Sequence, residues 1–457
     1  MRYPSVIFVW CLTLAAAECA AARPTDLVLN RPPEGFNALF NGRDLAGWWG
    51  AGTEDPRTWM ALSREELAIK RTVSLKDIQR HWSVGEGVLI NDGRGLYLTT
   101  NRNYRDFELL LEYRTVAGAD SGIYLRGVPQ IQIWDHTEEG GKWSHGADKG
   151  SGGLWNNSDG APGKDPLVLA DKPFGQWNRI RAIMVGERVT VFLNHQLVVD
   201  HARMENYFDR SLPLPRSGPI QLQTHGGEIR WRNVFIREIP PNEANAMLRR
   251  GRVVEREGGD GFEPIFNGQD FTGWAGPIEN YEVNDGALMC RPGMGGTIYT
   301  EDEYADFIVQ LEFLLPPGGN NGLAIRYPGE GDTAYVGMCE LQVLDNTHPK
   351  FAGLDPRQYH GSVYGQVAAH RGYLREPGQW NFQQVTVRGS TIKVELNGTV
   401  IVDADLNDVK EFMYDADHFR GRTRTTGHFG FAGHSDPVQF RNIRIKRIAA
   451  DIDASAN

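Results

Sequence analysis

Residues Phe36 to Gly50 read FNALFNGRDLAGWWG, and residues Phe262 to Gly276 read FEPIFNGQDFTGWAG. The second stretch restates the first, and the restatement continues outward. Trp82-Ser-Val-Gly-Glu-Gly is answered by Tyr281-Glu-Val-Asn-Asp-Gly, Tyr104-Arg-Asp-Phe107 by Tyr304-Ala-Asp-Phe307, and Ser121-Gly-Ile-Tyr-Leu-Arg126 by Asn321-Gly-Leu-Ala-Ile-Arg326. Gln132-Ile-Trp-Asp135 then matches Gln342-Val-Leu-Asp345, Gly175-Gln-Trp-Asn178 matches Gly378-Gln-Trp-Asn381, and Arg232-Asn233 matches Arg441-Asn442. So many landmarks in one order mark an internal duplication. The expected division is residues 34–239 and 261–448 for the two copies, 240–260 for a polar linker ending in Gly-rich sequence, and 449–457 for a tail.

Inside each copy, short alternating runs such as Phe107-Glu-Leu-Leu-Leu-Glu-Tyr113 and Ile392-Lys-Val-Glu-Leu396 are punctuated by Gly, Pro and Asn-Gly. Many short strands with turn signals and almost no helical period predict two antiparallel β-sandwiches in tandem. Asn397-Gly398 predicts a two-residue hairpin turn, and His195 in the matching place weakens that expectation in the first copy. One segment departs from the pattern. Asp55 to Gln79, rich in Lys, Glu and Leu, predicts one or two surface helices that cap a sheet edge or wall a cleft.

The chain carries a formal net charge of -10 and has no Lys/Arg-rich run, which argues against nucleic acid or an anionic membrane as partner. Arg2, the apolar stretch Val6 to Ala17 and small residues up to Ala22 read as a secretory signal over residues 1–22, which predicts a secreted or periplasmic protein. No later segment is long and apolar enough to predict a membrane span. Cys11 and Cys19 fall in the signal. Cys290 and Cys339 remain, either as a disulfide or as two buried thiols.

No GxSxG, HExxH, CxxC pair, P-loop or EF-hand loop is present, so chemistry must come from side chains scattered over a sheet face. Strand parity points to that face. In the second copy Leu323, Ile325, Leu341, Val343, Phe429 and Phe431 read as core, which leaves Arg326, Glu340, Gln342, His428 and His434 outward. Arg126, Gln132 and His225 occupy the matching places in the first copy, where Gln130 replaces Glu340. These residues could equally form cross-strand ion pairs on a solvated sheet. Trp48, Trp49, Trp134, Trp155 and Trp274 offer rings for sugar stacking, while Trp177 and Trp380 read as core.

Taken together, the Leu-Phe-Asn-Gly-x-Asp-Leu-x-Gly-Trp run, the Gly-x-x-x-Arg strand, the Glu-x-Gln-x-x-Asp strand, the Trp-Asn strand and the closing Phe-Arg-Asn-Ile strand resemble the 3-keto-disaccharide hydrolase domain family. The resemblance covers both copies. It implies an all-β fold of two concanavalin-like jelly rolls, with a short helical insertion in the first. It further implies cleavage of glycosides previously oxidised at C3 by a partner dehydrogenase, through abstraction of the acidified C2 proton and loss of the C1 leaving group. Carried onto this sequence, it assigns Glu340 as base or divalent-metal ligand, and His360 and His434 as acid/base or metal candidates. Arg326, Gln342 and Tyr364 become substrate contacts, with Arg126, Gln132 and His225 as their counterparts. Because Gln130 removes the carboxylate, the expectation is an active second copy and a weaker or differently specific first. A lectin-like sugar-binding pair and an extracellular interaction scaffold are the alternatives.

Overall fold

The computed structural model describes residues 29–254 and 259–449; the signal reading, Cys11, Cys19 and the tail from residue 450 lie outside the described residues. Each repeat is a sandwich of an eight-stranded back sheet and a five-stranded front sheet, and every strand pairing is antiparallel. In the first repeat the front sheet runs Trp48–Ala51, Tyr97–Thr100, Gln221–Leu222, Asp120–Leu125, Val128–Trp134. In the second it runs Trp274–Ala275, Gly295–Tyr304, Gly427–His434, Asn320–Tyr327, Cys339–Leu344, the same order. The tandem jelly-roll fold is therefore as the sequence predicts.

Alternation places the cores. Val309, Leu311 and Phe313 on the back sheet meet Leu323, Ile325, Leu341, Val343, Phe429 and Phe431 on the front, all essentially sealed from water. Leu109, Leu111 and Tyr113 meet Ile123, Leu125, Ile131 and Ile133 likewise. Truncating any one of these aliphatic side chains to Ala would cost roughly 2–5 kcal/mol, the transfer loss plus the cavity left behind.

The repeated Phe-Asn-Gly-x-Asp run is a self-contained loop. Asn41 Oδ1 accepts the amides of Arg43 and Asp44, and the Asp44 carboxylate accepts the Asn41 side-chain amide and the Ala46 amide. Asn267 and Asp270 repeat the arrangement. Gly42 and Gly268 supply its left-handed residue, at φ 77° and 73°. Phe40, Phe266, Trp48 and Trp274 around it are buried core residues, so Trp48 and Trp274 are not stacking platforms. Trp49 is also buried, edge-on to Trp59.

Four further readings are resolved or changed. The Asn194-His195 turn keeps the same left-handed pair of residues as Asn397-Gly398, so His195 does not abolish the hairpin. Trp177 and Trp380 are not core: they lie half-buried under Arg232 and Arg441, 4.1 and 3.9 Å from guanidinium to ring centre. The linker contains a helix, Pro241–Arg250, whose Ala244 and Leu248 pack with Val185 and Ile239 of the first repeat and Phe382 of the second. Cys290 and Cys339 are both buried and unbonded. The helical insertion forms as Pro56–Met60 and Arg64–His81, the longer one opened by a Ser63/Glu66 capping box, and it covers the edge strand Trp48–Ala51 through Ser74. Among the described residues no helix is long and apolar enough to cross a membrane.

A candidate site on each front sheet

The outer faces of the front sheets are not solvated. Asp120–Leu125, Val128–Trp134 and Cys339–Leu344 are buried on both faces, one by the core and the other by loops folded over the sheet. Beneath the loops each repeat keeps a cleft, of about 220 Å³ in the second and about 320 Å³ in the first.

In the second repeat Glu340 and Gln342 form the floor, each 5% exposed. Strand register explains their neighbours. Gly322 stands opposite Gln342, and a Cβ built there would lie 2.1 Å from Glu340 Oε1, so the glycine leaves the space in which the carboxylate lies. The amide of Gln342 is oriented by donating to Asn320 Oδ1 at 2.7 Å. Tyr364 and Tyr335 stand at the wall with Asp332, and Tyr364 accepts from Gln358 at 3.1 Å. Burial pushes the Tyr364 hydroxyl up to about 12, so it is a proton donor at neutral pH.

His434, at the end of its strand, places Nε2 3.6 Å from Glu340 Oε1, an ion-pair separation longer than a hydrogen bond. The Glu340 carboxylate raises the imidazole's affinity for its proton against the opposing cost of burial, and Asp332 and Asp436 add to the rise. No protein hydrogen bond to the Glu340 carboxylate is shorter than this contact among the described residues. A buried carboxylate with unfilled lone pairs facing a cleft is a competent proton acceptor.

The first repeat solves the same floor differently. Register makes His225 the counterpart of His434, Asp120 that of Asn320 and Gln130 that of Glu340. The carboxylate lost at Gln130 reappears one strand over. Asp120 Oδ2 accepts from His225 Nδ1 at 2.7 Å and from Lys142, and Oδ1 accepts from Gln132 Nε2 at 2.8 Å. Burial alone would raise the Asp120 carboxyl, but hydrogen bonds and charge from His225 and Lys142 outweigh it and hold the group below the usual carboxylate range. The bond to Asp120 in turn raises His225. Trp134 and Trp155 meet edge-to-face at 6.2 Å on one side, and Tyr97 and Tyr124 at 5.3 Å on the other.

Three sequence assignments fail. Arg126 and Arg326 are buried away from the clefts, because each sits at a strand irregularity with φ of 54° and 48° that reverses the parity count. Arg326 is spent on the carbonyls of Ala305, Gly389 and Arg424 and on Asp306; Arg126 binds the carbonyls of Arg105 and Pro215 and Asp106. Neither lines a cleft. His360 lies in the core, its ring 4.9 Å from Phe313, and burial drives it down to about 3, so it is neutral and out of reach of the cleft. Asp345 and Asp135 are structural, tying the Gly318 and Gly118 amides to Thr347 and Thr137.

Gln342, Glu340, His434 and Tyr364 do line one cleft, and Gln132 and His225 line the other. Asp120, Lys142 and Asp332 were not foreseen. Asp120 was within reach of the same parity argument, two residues before Gly122 on the outward side; Lys142 and Asp332 come from loops and carry no such signal. The sequence leaves a divalent ion open at Glu340. Among the described residues no group of three or more His, Cys, Asp or Glu side chains is placed to hold one. The Glu340–His434 pair supplies two donors, and the steps below are derived from the chain's own residues.

Over 229 residues, 41% of this chain and 78% of the relative, the sequence is 27% identical to a 3-keto-disaccharide hydrolase of Bacteroides thetaiotaomicron. Among solved structures, a glycosyl hydrolase candidate from Parabacteroides distasonis is similar at 25% identity and a TM-score of 0.37, covering 41% of this chain and 99% of its own. A carbohydrate-binding module from Bacillus subtilis is similar at 15% identity and a TM-score of 0.23, covering 41% and 95%. The model of the 3-keto-alpha-glucoside-1,2-lyase-like domain matches residues 35–237 and again 261–446. The chain belongs to that family, carries its domain twice, and stands with the carbohydrate-active glycoside hydrolases and lyases.

Proposed function

We propose that the second repeat cleaves glycosides of 3-keto sugars, with Glu340 as the base. The observation that carries this reading is the Glu340 carboxylate, buried on the cleft floor with His434 at 3.6 Å as its nearest charged neighbour. A ketone at C3 acidifies the proton on C2. Glu340 removes that proton, and the electron pair of the C2–H bond moves into the C3 carbonyl as an enolate. When the carbonyl re-forms, the C1–O bond breaks, the aglycone leaves with a proton supplied from His434, and a C1–C2 double bond remains. Water then adds across it, its oxygen to C1 and a proton back to C2. Donors aimed at the developing enolate lower the barrier most when they are already in place. Gln342, Tyr364 and protonated His434 are the cleft's donors for this purpose.

The relative named a 3-keto-disaccharide hydrolase supports the substrate class. Its keto sugar has to be made by an oxidation, which this chain's cleft does not supply, so a partner dehydrogenase acts before it. The signal-like residues 1–22 support export, to the periplasm or beyond.

The test is product formation from a 3-keto-glucoside by the purified chain, by Glu340→Gln, and in the presence of chelator. Turnover that survives chelator and vanishes in Glu340→Gln is the expected result. Absence of turnover with retained sugar binding would leave a lectin-like protein, and absence of both a scaffold.

A further inference from the structure

We propose that the first repeat's cleft is a separate binding site for a glycoside bearing a carboxylate, such as a uronic acid residue. The proposal rests on the family's carbohydrate chemistry and not on catalysis by Glu340.

Charge separates the two clefts. The second is lined by two carboxylates, Asp332 and Glu340, against one imidazole, His434. The first is lined by one carboxylate, Asp120, against Lys142 and two imidazoles, His145 and His225. Asp120 is moreover largely engaged: Gln132 bonds Oδ1, and His225 and Lys142 share Oδ2, which fills three of its roughly four acceptor sites. That leaves it little capacity for a sugar hydroxyl and fixes its charge against the two donors. The cations keep capacity. An ammonium has three protons and Lys142 has given one to Asp120, and His225 has committed Nδ1 alone. Their side chains remain 31% and 59% exposed toward the cleft mouth, so a ligand can reach them. A carboxylate arriving there makes charge-assisted hydrogen bonds to donors that Asp120 has already fixed in place.

The walls fit the rest of a sugar. Trp155 and Tyr124 stand where the second repeat has Tyr364 and Ala324, and Trp134 where it has Leu344. Flat rings flanking a cleft of about 320 Å³ suit the apolar faces of a pyranose. The indole N–H of each tryptophan is tied to a carbonyl, Trp134 to Gly150 at 2.9 Å and Trp155 to His145 at 3.0 Å, so both rings are held before a ligand arrives.

The experiment is calorimetric titration of the full chain with methyl β-glucuronide and with methyl β-glucoside. The glucuronide should bind about tenfold more tightly, a difference of one charge-assisted contact partly screened by solvent. Lys142→Met should remove that preference, and Lys142→Arg should keep it. Lys142 lies on a loop, and a thermal melt of each variant verifies that the fold is intact. Equal affinity for the two glycosides, no binding of either, or a glucuronide preference that survives Lys142→Met would each overturn the proposal. Because the readout is binding, loss of the keto-glucoside reaction would count against the proposed activity and leave this result standing.

Discussion

The two repeats agree on an imidazole at the end of the middle front-sheet strand and disagree on where its carboxylate stands. In the second repeat the partner is Glu340, two strands away and across a 3.6 Å gap. In the first it is Asp120 on the adjacent strand, in a 2.7 Å hydrogen bond and shared with Lys142. A carboxylate held at a distance keeps its lone pairs for a substrate, whereas one locked between two cations orients those cations. The same backbone thus supports a base in one cleft and a cationic binding surface in the other, by exchanging residue types at two matched positions.

The largest test of that contrast is a pair of charge removals. Glu340→Gln should lower kcat on a 3-keto-glucoside by about 10²–10⁴-fold, the range for loss of a general base, while Asp120→Asn loses far less. A reversed order, read in steady-state kinetics, breaks the comparison. A second pair acts through the floor glycines. A Cβ on Gly322 meets Glu340 Oε1 at 2.1 Å, whereas on Gly122 its nearest contact is Gln223 Oε1 at 2.9 Å. Gly322→Ala should therefore displace the base and cost about 10²-fold in kcat, the penalty of a shift near 1 Å, with Gly122→Ala close to wild type. Crystallography of Gly322→Ala would locate the displaced carboxylate.

How far the sequence carried depends on backbone regularity. Where strands run straight, parity assigned Leu323, Leu341, Phe429 and Phe431 to the core and brought Glu340, Gln342 and His434 to one cleft. It failed at Arg126 and Arg326, where a left-handed residue in mid-motif turns the side chain under the sheet. The repetition of these arginines reflects a buried structural ion pair with Asp106 and Asp306. Asn41 and Asn267, Asn194 and Asn397, and Asn233 and Asn442 make the same point: repeated landmarks are largely residues that build loops or tolerate positive φ. What distinguishes the clefts sits between the landmarks, in Asp120, Lys142 and Asp332, two of them on loops whose course no periodicity encodes. The linker helix was hidden because Ala244, Met247 and Leu248 are few apolar residues in polar surroundings, and their burial comes from packing between repeats.

The hairpin turns sharpen the comparison at the level of stability. Asn397-Gly398 is pressed against the first repeat: the backbone amide of Glu187 donates to the Gly398 carbonyl at 2.8 Å, and a Cβ on Gly398 would lie 2.6 Å from the Val185 carbonyl oxygen. His195 occupies the same turn position in the first repeat. Gly398→Ala should destabilise the chain by about 1–3 kcal/mol, through the left-handed φ and the clash across the interface. His195→Gly relieves the same φ without such a contact and should be neutral to slightly stabilising. Urea unfolding of the two variants checks both. Equal effects would mean that the Asn397-Gly398 turn is not fixed against Val185.

The smallest expected effect is in titration, and its sign is specific. Asp120 raises His225 above the ordinary imidazole value near 6.5, while burial and Lys142 pull it down. A raised folded-state value means that the protonated imidazole stabilises the fold fully below about 6.5 and that this contribution is lost as pH rises through the folded-state value. Removing the carboxylate in Asp120→Asn leaves burial and Lys142 acting alone, so the His225 resonance should titrate below the ordinary value rather than above it. In the second repeat the corresponding change, Glu340→Gln, leaves Asp332 and Asp436 still acting on His434, so its fall should be smaller. Imidazole shifts followed by NMR from pH 5 to 9 in both variants distinguish the cases. Equal falls would mean that the carboxylates act at equal range, and the contrast between a locked and an open pair would not hold.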